Sequence, residues 1–451
     1  MRPMPLVATG LLAATLLTTA PTAYAAGETC QGRAATVVGT PDQYGLTGTE
    51  GDDVIVTNGA TGVRALGGDD LVCITGAPQS RTTTFHDAGP GDDVVDASAA
   101  TTGITVALGA GSDTYTGSPY DESVSGGTNG YDDSGPRVDT ERDVITTVTG
   151  GDDSVSSGSD RTVLNVDVIV LGADDGVGFG NGVGWTGPLA AGGHLDGGGG
   201  ARLAFGVGSG HVVVDATRGV LSQDGAAQLV WTGFDRFTTG GSASRTPASF
   251  TFLGTDRAEE LDFRFPDAHS VRQHIDMAGG DDTLSLGYDD NVGARGSSYD
   301  GGPGQDHVNM WAGRRLDLDL ASGRMKTRHD GRTIRTTMTS FDTQLLGAKK
   351  LKLDGTKKAD DLRFYACKAT VRGRGGADTI QQSRGDDYFE AGLRCNPRKF
   401  RLYGGGGKDV LRGSTDNDVL IGGRGRDTIN GNGGRDRCSG EKLRSCEIRL
   451  R

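Results

Sequence analysis

The chain has 451 residues, of which 77 are glycine and only 6% are aromatic, and its formal net charge is −13. Short runs of Val, Ile, Leu and Thr recur between Gly, Asp and Asn, whereas few windows show the apolar spacing of an amphipathic helix. The composition therefore excludes a mainly helical protein and predicts an all-β fold.

The N-terminal residues have the pattern of a secretory signal peptide. Arg2 precedes an apolar stretch over residues 6–17, and Ala-Tyr-Ala at residues 23–25 has the small-x-small pattern of a cleavage site. The apolar stretch is shorter than the roughly 20 residues that a membrane-spanning helix needs. We expect residues 1–25 to be removed, which gives a secreted, extracellular protein with no integral membrane span in the mature chain.

Residues 26–195 carry repeated aspartate turns and are expected to form an irregular β-solenoid. The last acidic residue of each of four motifs is Asp53 in GTEGDDVI, Asp70 in LGGDDLV, Asp93 in AGPGDDVV and Asp113 in GAGSDTY. Asp53 and Asp70 are seventeen residues apart, close to two nine-residue units, so they could share one ion. Each isolated motif also fits an ordinary Asp-Gly turn.

Residues 196–363 contain duplicated long β repeats. The stretches HLDGGGGARLAF, SYDGGPGQDHVN and RLYGGGGKDVLR align with Arg202, Asp306 and Asp409 in the aspartate position, 104 and 103 residues apart. Between such turns we expect longer β arms, and MAGGDDTL adds a further turn with Asp282. Because Arg202 replaces a carboxylate, its turn should bind no ion or use the guanidinium to satisfy neighbouring carboxylates.

Residues 364–451 contain the most regular pattern. Looser motifs with Asp378 and Asp387 precede four aspartates that recur every nine residues, at Asp409, Asp418, Asp427 and Asp436. An apolar residue or cysteine follows each of the four by two positions. A single unit of this kind buries little, so the pattern predicts a regular parallel β-roll, stacked at about 4.8 Å per strand.

Stacking brings the aspartates close to one another. Two carboxylates about 5 Å apart repel by roughly 3 kcal/mol at an effective dielectric constant near 20, so the ladder needs a cation. Carboxylates and the carbonyls of glycine-rich turns supply only oxygen ligands, which favour Ca²⁺ over zinc or copper. Magnesium is less suited because it demands octahedral geometry.

The stretch 404–438 resembles the RTX, or hemolysin-type, calcium-binding repeat. The resemblance implies a parallel β-roll with calcium between stacked turns, where Asp409 and Asp427 hold one ion and Asp418 and Asp436 hold another. Backbone carbonyls near four glycines would complete these sites: Gly405, Gly407, Gly423 and Gly425. RTX relatives commonly carry a C-terminal export signal, whereas this chain has the N-terminal one, so toxin-like activity is not transferred.

The six cysteines of an exported chain favour disulfides over a zinc site, since no CxxC pair is present. Chain order suggests three pairs, although other connectivities are possible: Cys30 with Cys73, Cys367 with Cys395, and Cys438 with Cys446. Cys438 occupies the inward position of its repeat, so its bond to Cys446 would tie the tail across the last repeat.

The two parts of the chain differ in charge. Residues 1–310 hold 15 basic and 41 acidic side chains, a net charge of −26, whereas residues 311–451 hold 31 and 18, a net charge of +13. The basic part suits an anionic cell-surface polymer, or it docks on the acidic part of the same chain. Nucleic acid is the less favoured partner.

RTX-like repeats often accompany catalytic domains, but no segment of this chain escapes the β-repeat pattern for a hundred residues. The seven histidines form no H-E-x-x-H motif and no G-x-S-x-G motif occurs. We therefore expect no enzymatic activity but a secreted calcium-binding protein, structural, adhesive or surface-associated, whose folding is coupled to extracellular calcium. The alternative is a calcium-stabilised β-solenoid enzyme acting on polysaccharide, with a groove lined by Trp185, Trp231 and Trp311.

Overall fold

A computed structural model gives the fold of most of the chain. The expected signal peptide and Asp387 lie outside the described residues, and within them no helix is long and apolar enough to cross a membrane. The backbone alone is described for residues 182–185. The described residues are 27–79, 84–127, 141–148, 150–157, 166–172, 182–185, 192–239, 246–265, 267–286, 292–383 and 395–450.

The described residues form strands and one short 3₁₀ turn, Ala268–Ser270, with no α-helix, which confirms the expected all-β parallel β-solenoid. The N-terminal strands are β1 (Thr29–Cys30), β2 (Arg33–Ala34), β3 (Val37–Val38), β4 (Leu46–Thr47), β5 (Val54–Val56), β6 (Gly62–Arg64), β7 (Leu71–Cys73), β8 (Thr84–Pro90), β9 (Val94–Asp96), β10 (Ile104–Ala110), β11 (Thr114–Thr116), β12 (Glu122–Ser125), β13 (Val144–Thr146), β14 (Ser154–Ser156), β15 (Val168–Val170) and β16 (Gly182–Trp185). The middle strands are β17 (His194–Phe205), β18 (His211–Asp215), β19 (Val220–Gln223), β20 (Ala226–Thr239), β21 (Ser249–Leu253), β22 (Glu260–Phe263), β23 (Arg272–Asp276), β24 (Thr283–Ser285), β25 (Ser298–Asp300), β26 (His307–Trp311), β27 (Arg315–Asp319), β28 (Arg324–His329), β29 (Arg332–Thr339) and β30 (Thr343–Asp354). The C-terminal strands are β31 (Asp361–Gly375), β32 (Thr379–Gln382), β33 (Lys399–Gly406), β34 (Val410–Arg412), β35 (Val419–Arg424), β36 (Thr428–Asn430), β37 (Arg437–Ser439), β38 (Lys442–Arg444) and β39 (Ile448–Arg449).

Successive strands alternate between two parallel sheets, so that most strands pair with the strand two positions later in the chain. In the C-terminal roll β33, β35, β37 and β39 form one sheet, while β32, β34, β36 and β38 form the other. Parallel pairing in register places equivalent side chains directly above one another. One coil of this roll therefore contains two nine-residue units.

The inward side chains of the stacked strands form continuous apolar columns. In the C-terminal roll Leu402, Leu420 and Cys438 are aligned in one sheet, and Leu411 and Ile429 are aligned in the other. All five side chains are fully buried. A longer column of the same kind runs through the N-terminal coils: Ile55, Val72, Val95, Tyr115, Ile145, Ile169 and Leu195.

Two antiparallel arms interrupt the coils of the middle region. The first consists of β18, β19 and the start of β20, and the second of β27, β28 and β29. These arms correspond to the two copies expected from the duplicated sequence. Phe237 and Phe252 form an edge-to-face ring pair in the buried core. Phe263 makes edge-to-face contacts with Phe250 and Phe265.

The expected segment boundaries at 195/196 and 363/364 fall within β17 and β31. Strand pairing continues across both boundaries, since β17 joins β15 to β20 and β31 joins β30 to β33.

All three suggested disulfides are present and thus confirmed: Cys30–Cys73, Cys367–Cys395 and Cys438–Cys446.

Candidate metal centre

The four evenly spaced aspartates lie in turns that precede short strands, and they are buried. Asp409, Asp427 and Asp436 have no exposed surface, and Asp418 is 2% exposed. Burial of a carboxylate is costly unless hydrogen bonds or a cation replace the lost water. The hydrogen-bond partners of the two carboxylate oxygens therefore decide whether these turns can bind a cation.

One oxygen of each carboxylate accepts a hydrogen bond from the preceding coil. The backbone N–H of Asp409 donates to Oδ1 of Asp427 at 3.0 Å, and that of Asp418 donates to Oδ1 of Asp436 at 2.8 Å. The structure thus places together both aspartate pairs implied by the resemblance. Ion binding at these pairs stays a prediction.

The same bond recurs along the solenoid and defines what we call carboxylate ladders: rows of acidic residues in which each carboxylate accepts the backbone N–H of the preceding member. Five ladders occur within the described residues. They consist of Asp53, Asp70, Asp93, Asp113, Asp143 and Asp167; Glu122 and Asp153; Glu259, Asp282, Asp306 and Asp342; Asp360, Asp378, Asp409, Asp427 and Glu441; and Asp418, Asp436 and Glu447.

Several ladder members were not among the predicted site residues. Glu441 and Glu447 end two ladders by accepting the N–H groups of Asp427 and Asp436 at 2.8 and 2.7 Å. They follow those aspartates by 14 and 11 residues, outside the nine-residue spacing. Upstream ladder members could have been found from the sequence, because an acid there precedes a buried apolar residue by two positions, as Asp143 precedes Ile145.

The second carboxylate oxygen has no hydrogen-bond partner at nine ladder positions. A glycine five residues earlier approaches several of these oxygens, and a Cβ on Gly404 would collide with Oδ2 of Asp409. An acceptor buried without a donor is unfavourable, and a cation in contact with it removes the penalty. The oxygens concerned are Oδ2 of Asp70, Asp93, Asp113, Asp282, Asp306, Asp378, Asp409, Asp427 and Asp436.

Burial of the ladder raises the carboxyl pKa values. Loss of water and, to a smaller extent, neighbouring carboxylates raise the pKa of Asp93 to about 8 and that of Asp378 to about 7. The backbone hydrogen bond lowers the pKa of each but does not offset burial. Without a cation, these carboxyls therefore resist ionisation near neutral pH.

Asp53 and Asp418 differ from the nine positions. Oδ2 of Asp53 accepts the hydroxyl of Thr49 at 2.9 Å, and Oδ2 of Asp418 accepts the hydroxyl of Ser414 at 2.8 Å. Both carboxylates therefore have donors at both oxygens, since Oδ1 of Asp418 also accepts the N–H of Phe400 and Oδ1 of Asp53 the hydroxyl of Thr36.

The glycines expected at the sites form the stacked turns between coils. Gly405, Gly407, Gly423 and Gly425 all have positive φ, between 106° and 139°. A Cβ on Gly425 would collide with the carbonyl of Gly407, and one on Gly423 would collide with that of Gly405. At Gly423 and Gly425, therefore, the absence of a Cβ allows the turns to stack this closely.

Arg202, which replaces an aspartate, satisfies a neighbouring carboxylate. Its guanidinium forms an ion pair with Glu260 at 3.0 Å and donates to the hydroxyl of Thr238 at 3.0 Å. Arg202 is 7% exposed. The second of the two alternatives expected for this turn is therefore observed.

Comparison with known families agrees with this geometry. Residues 370–393 and 403–438 match the RTX calcium-binding nonapeptide repeat in four copies. These segments are RTX repeats. No curated protein matches the chain significantly.

The RTX turns offer a donor set that fits calcium. Carboxylate oxygens without a donor, such as Oδ2 of Asp409 and Asp427, lie beside turns whose backbone supplies carbonyl oxygens. Ca²⁺ binds six to eight oxygen ligands in flexible geometry. The segment 403–438 is thus a β-roll whose repeats are of the calcium-binding type.

Proposed function

We propose that the protein is secreted and that its folding is coupled to extracellular calcium. The support that carries the proposal is the row of buried Oδ2 atoms without a donor in the RTX turns, at Asp378, Asp409 and Asp427. Where calcium is scarce, the cost of these oxygens keeps the ladder incompletely folded. Outside the cell, millimolar calcium fills sites whose dissociation constants need only be about 10⁻⁴ to 10⁻³ M.

Thermal unfolding of the mature chain with chelator, and with calcium in excess of the expected dissociation constants, tests the coupling. Each filled site adds about 1.4 kcal/mol per tenfold excess of calcium over its dissociation constant. We expect a large rise in Tm with calcium and a smaller rise with magnesium. A chain that is fully β in chelator, with an unchanged Tm on calcium addition, contradicts the coupling.

We further propose a structural, adhesive or surface-associated role in which the basic part binds an anionic cell-surface polymer. Lys350, Lys368 and Lys399 are exposed and aligned in register across β30, β31 and β33. Neighbouring cations such as Arg372 pair with Asp354, whereas no ion pair within the described part of the chain involves these three lysines. They form a cationic row with a spacing of about 4.8 Å along the solenoid axis.

Co-sedimentation with anionic wall polymer and with DNA, at low and high salt, tests the cationic row. We expect Lys368→Glu to weaken polymer binding. Lys326→Glu, which makes the same charge change on the second arm, should leave it unchanged. If both variants bind as the wild type does, the row is not the binding surface.

The proposed role is non-enzymatic. A groove of about 920 Å³ lies along the C-terminal roll, and within the described residues its lining contains Arg363, Arg398 and Arg412 but no carboxylate and no aromatic side chain. Glycoside hydrolysis needs a pair of carboxyl groups beside the scissile bond. Trp231 is 3% exposed in the core and Trp311 packs near Tyr365, so these two do not line a common groove. Release of reducing ends from polysaccharide by the pure protein would contradict this proposal.

A further inference from the structure

The turns of the carboxylate ladders fall into two conformational classes, which we call closed and open. In a closed turn, a Ser or Thr four residues before the acid donates its backbone N–H to the carboxylate. The distance from Ser414 to Asp418 is 2.5 Å and that from Thr356 to Asp360 is 2.6 Å. The closed turns described are Thr49 with Asp53, Ser118 with Glu122, Thr255 with Glu259, Thr356 with Asp360, and Ser414 with Asp418.

The hydroxyl of each closed turn also accepts the backbone N–H two residues later, as Ser414 accepts that of Asp416 at 3.1 Å. The other four closed turns have the same bond. One side chain thus stabilises both the turn and, in most of them, the carboxylate. A cation at this position would have to displace donors that already point at the acid.

In an open turn, the residue four positions before the acid has positive φ, and the second carboxylate oxygen has no donor. Both properties occur together at the nine positions described above. The residues with positive φ are Leu66, Gly89, Gly109, Ala278, Gly302, Arg374, Gly405, Gly423 and Asn432. Leu66, Ala278 and Arg374 hold this conformation despite having a Cβ, which is unfavourable in isolation.

The two classes have a fixed order along the chain. Each of the five ladders begins with a closed turn, at Asp53, Glu122, Glu259, Asp360 or Asp418. Every open turn lies later in its ladder, where a preceding coil stacks on it. At each closed turn, therefore, no ladder acid of the preceding coil donates its backbone N–H to the carboxylate.

We propose that calcium occupies the open turns and is excluded from the closed turns, which begin each ladder. In the closed turns a backbone N–H, and in most of them also a hydroxyl, binds the carboxylate in place of the ion. This inference rests on the proposed calcium function. It extends calcium sites beyond the RTX match, to Asp70, Asp93, Asp113, Asp282 and Asp306, and it removes Asp53 and Asp418 from the candidate ligands.

The test compares matched Asp→Asn variants of the full mature chain by calcium stoichiometry at equilibrium and by Tm. Asp427→Asn, in an open turn, should bind at least one ion fewer per chain than the wild type. Asp360→Asn and Asp418→Asn, in closed turns, should bind the wild-type number. Equal losses in the open-turn and closed-turn variants overturn the inference, whereas a wild type that binds no calcium overturns the proposed function itself.

A second pair of variants guards against misfolding of the Asn variants. Thr356→Val removes the donor hydroxyl of a closed turn, so it should lower Tm by the same amount with chelator and with calcium. Arg374→Gly removes the unfavourable positive φ of an open turn and leaves the carboxylate in place, so this variant should bind the wild-type number of calcium ions. A Thr356→Val variant that loses a calcium ion contradicts an ion-free closed turn.

Discussion

The backbone N–H of Asp378 donates to Oδ1 of Asp409 at 2.9 Å, across 31 residues of sequence. Oδ2 of the same carboxylate has no donor. One aspartate thus has two separable roles, since one oxygen joins two coils and the other is left without a donor and is available to a cation. The other eight ladder positions whose second oxygen has no donor show the same arrangement.

Asp409→Asn and Asp409→Ala should separate the two roles. Asparagine retains a carbonyl oxygen for the N–H of Asp378 and removes a buried charge, so we expect an unchanged or higher Tm in chelator and a smaller calcium-induced shift. Alanine also leaves the N–H unsatisfied, at a cost of about 1–3 kcal/mol. Chemical denaturation with and without calcium measures both, and equal behaviour of the two variants in chelator contradicts the structural role.

Gly404→Ala should destabilise the roll, because the added Cβ would collide with Oδ2 of Asp409 and approach the carbonyl of Gly422. We expect a loss of about 1–3 kcal/mol in the free energy of unfolding. Gly406→Ala is the matched control, since its Cβ would meet no atom within 4 Å. Its effect should stay within about 0.5 kcal/mol, and similar losses in both variants contradict the close contact.

Stability without calcium should fall as the pH rises from about 4 to 8. Burial raises the folded-state pKa of Asp436 to about 6, of Asp113 to about 7 and of Asp93 to about 8, whereas an unfolded aspartate has a pKa of about 3.9. A raised folded pKa contributes stability below the unfolded value and loses it as pH rises through the folded value.

Calcium reverses this dependence because it binds the ionised carboxylates and releases their protons. The calcium-induced rise in Tm should therefore be larger at pH 8 than at pH 5, and calorimetry in buffers of different ionisation enthalpy should detect proton release. A Tm in chelator that increases from pH 5 to pH 8 is the opposite result.

Cys446→Ser should loosen the last described coil. The bond between Cys438 and Cys446 closes a short loop, with a sequence separation of 8, for which chain entropy predicts about 2.5 kcal/mol. Hydrogen exchange should increase in β37, β38 and β39. Cys30→Ser, which opens the N-terminal disulfide, should leave exchange in these strands unchanged.

The sequence was sufficient for the features that depend on regular spacing. Nine-residue periodicity gave the columns of Leu402 and Leu411, the pairing of Asp409 with Asp427, and the inward position of Cys438. Each of these follows from stacking identical units, so the register is fixed once the period is known.

Features that depend on coil length or local hydrogen bonding could not be read from the same pattern. Glu441 falls outside the period because the coil between β36 and β38 is shorter, at 14 residues from Asp427 to Glu441 against 18 from Asp409 to Asp427, while the two strands still pair in register. Asp418 has the expected spacing, but Ser414 supplies donors that the aspartate period does not reveal. The spacing predicts where a carboxylate lies, whereas the residue four positions earlier determines whether that carboxylate has a hydrogen-bond donor within its own turn.

The buried ladder bonds all have one polarity, because each N–H is donated by an earlier coil to an acid later in the chain, as from Asp378 to Asp409. A coil of the ladder is therefore complete only after its successor has joined it. When a polypeptide crosses an export channel N-terminus first, the last coil outside the channel always lacks the acid that accepts its backbone N–H. The ladder then folds toward the C-terminus as translocation proceeds.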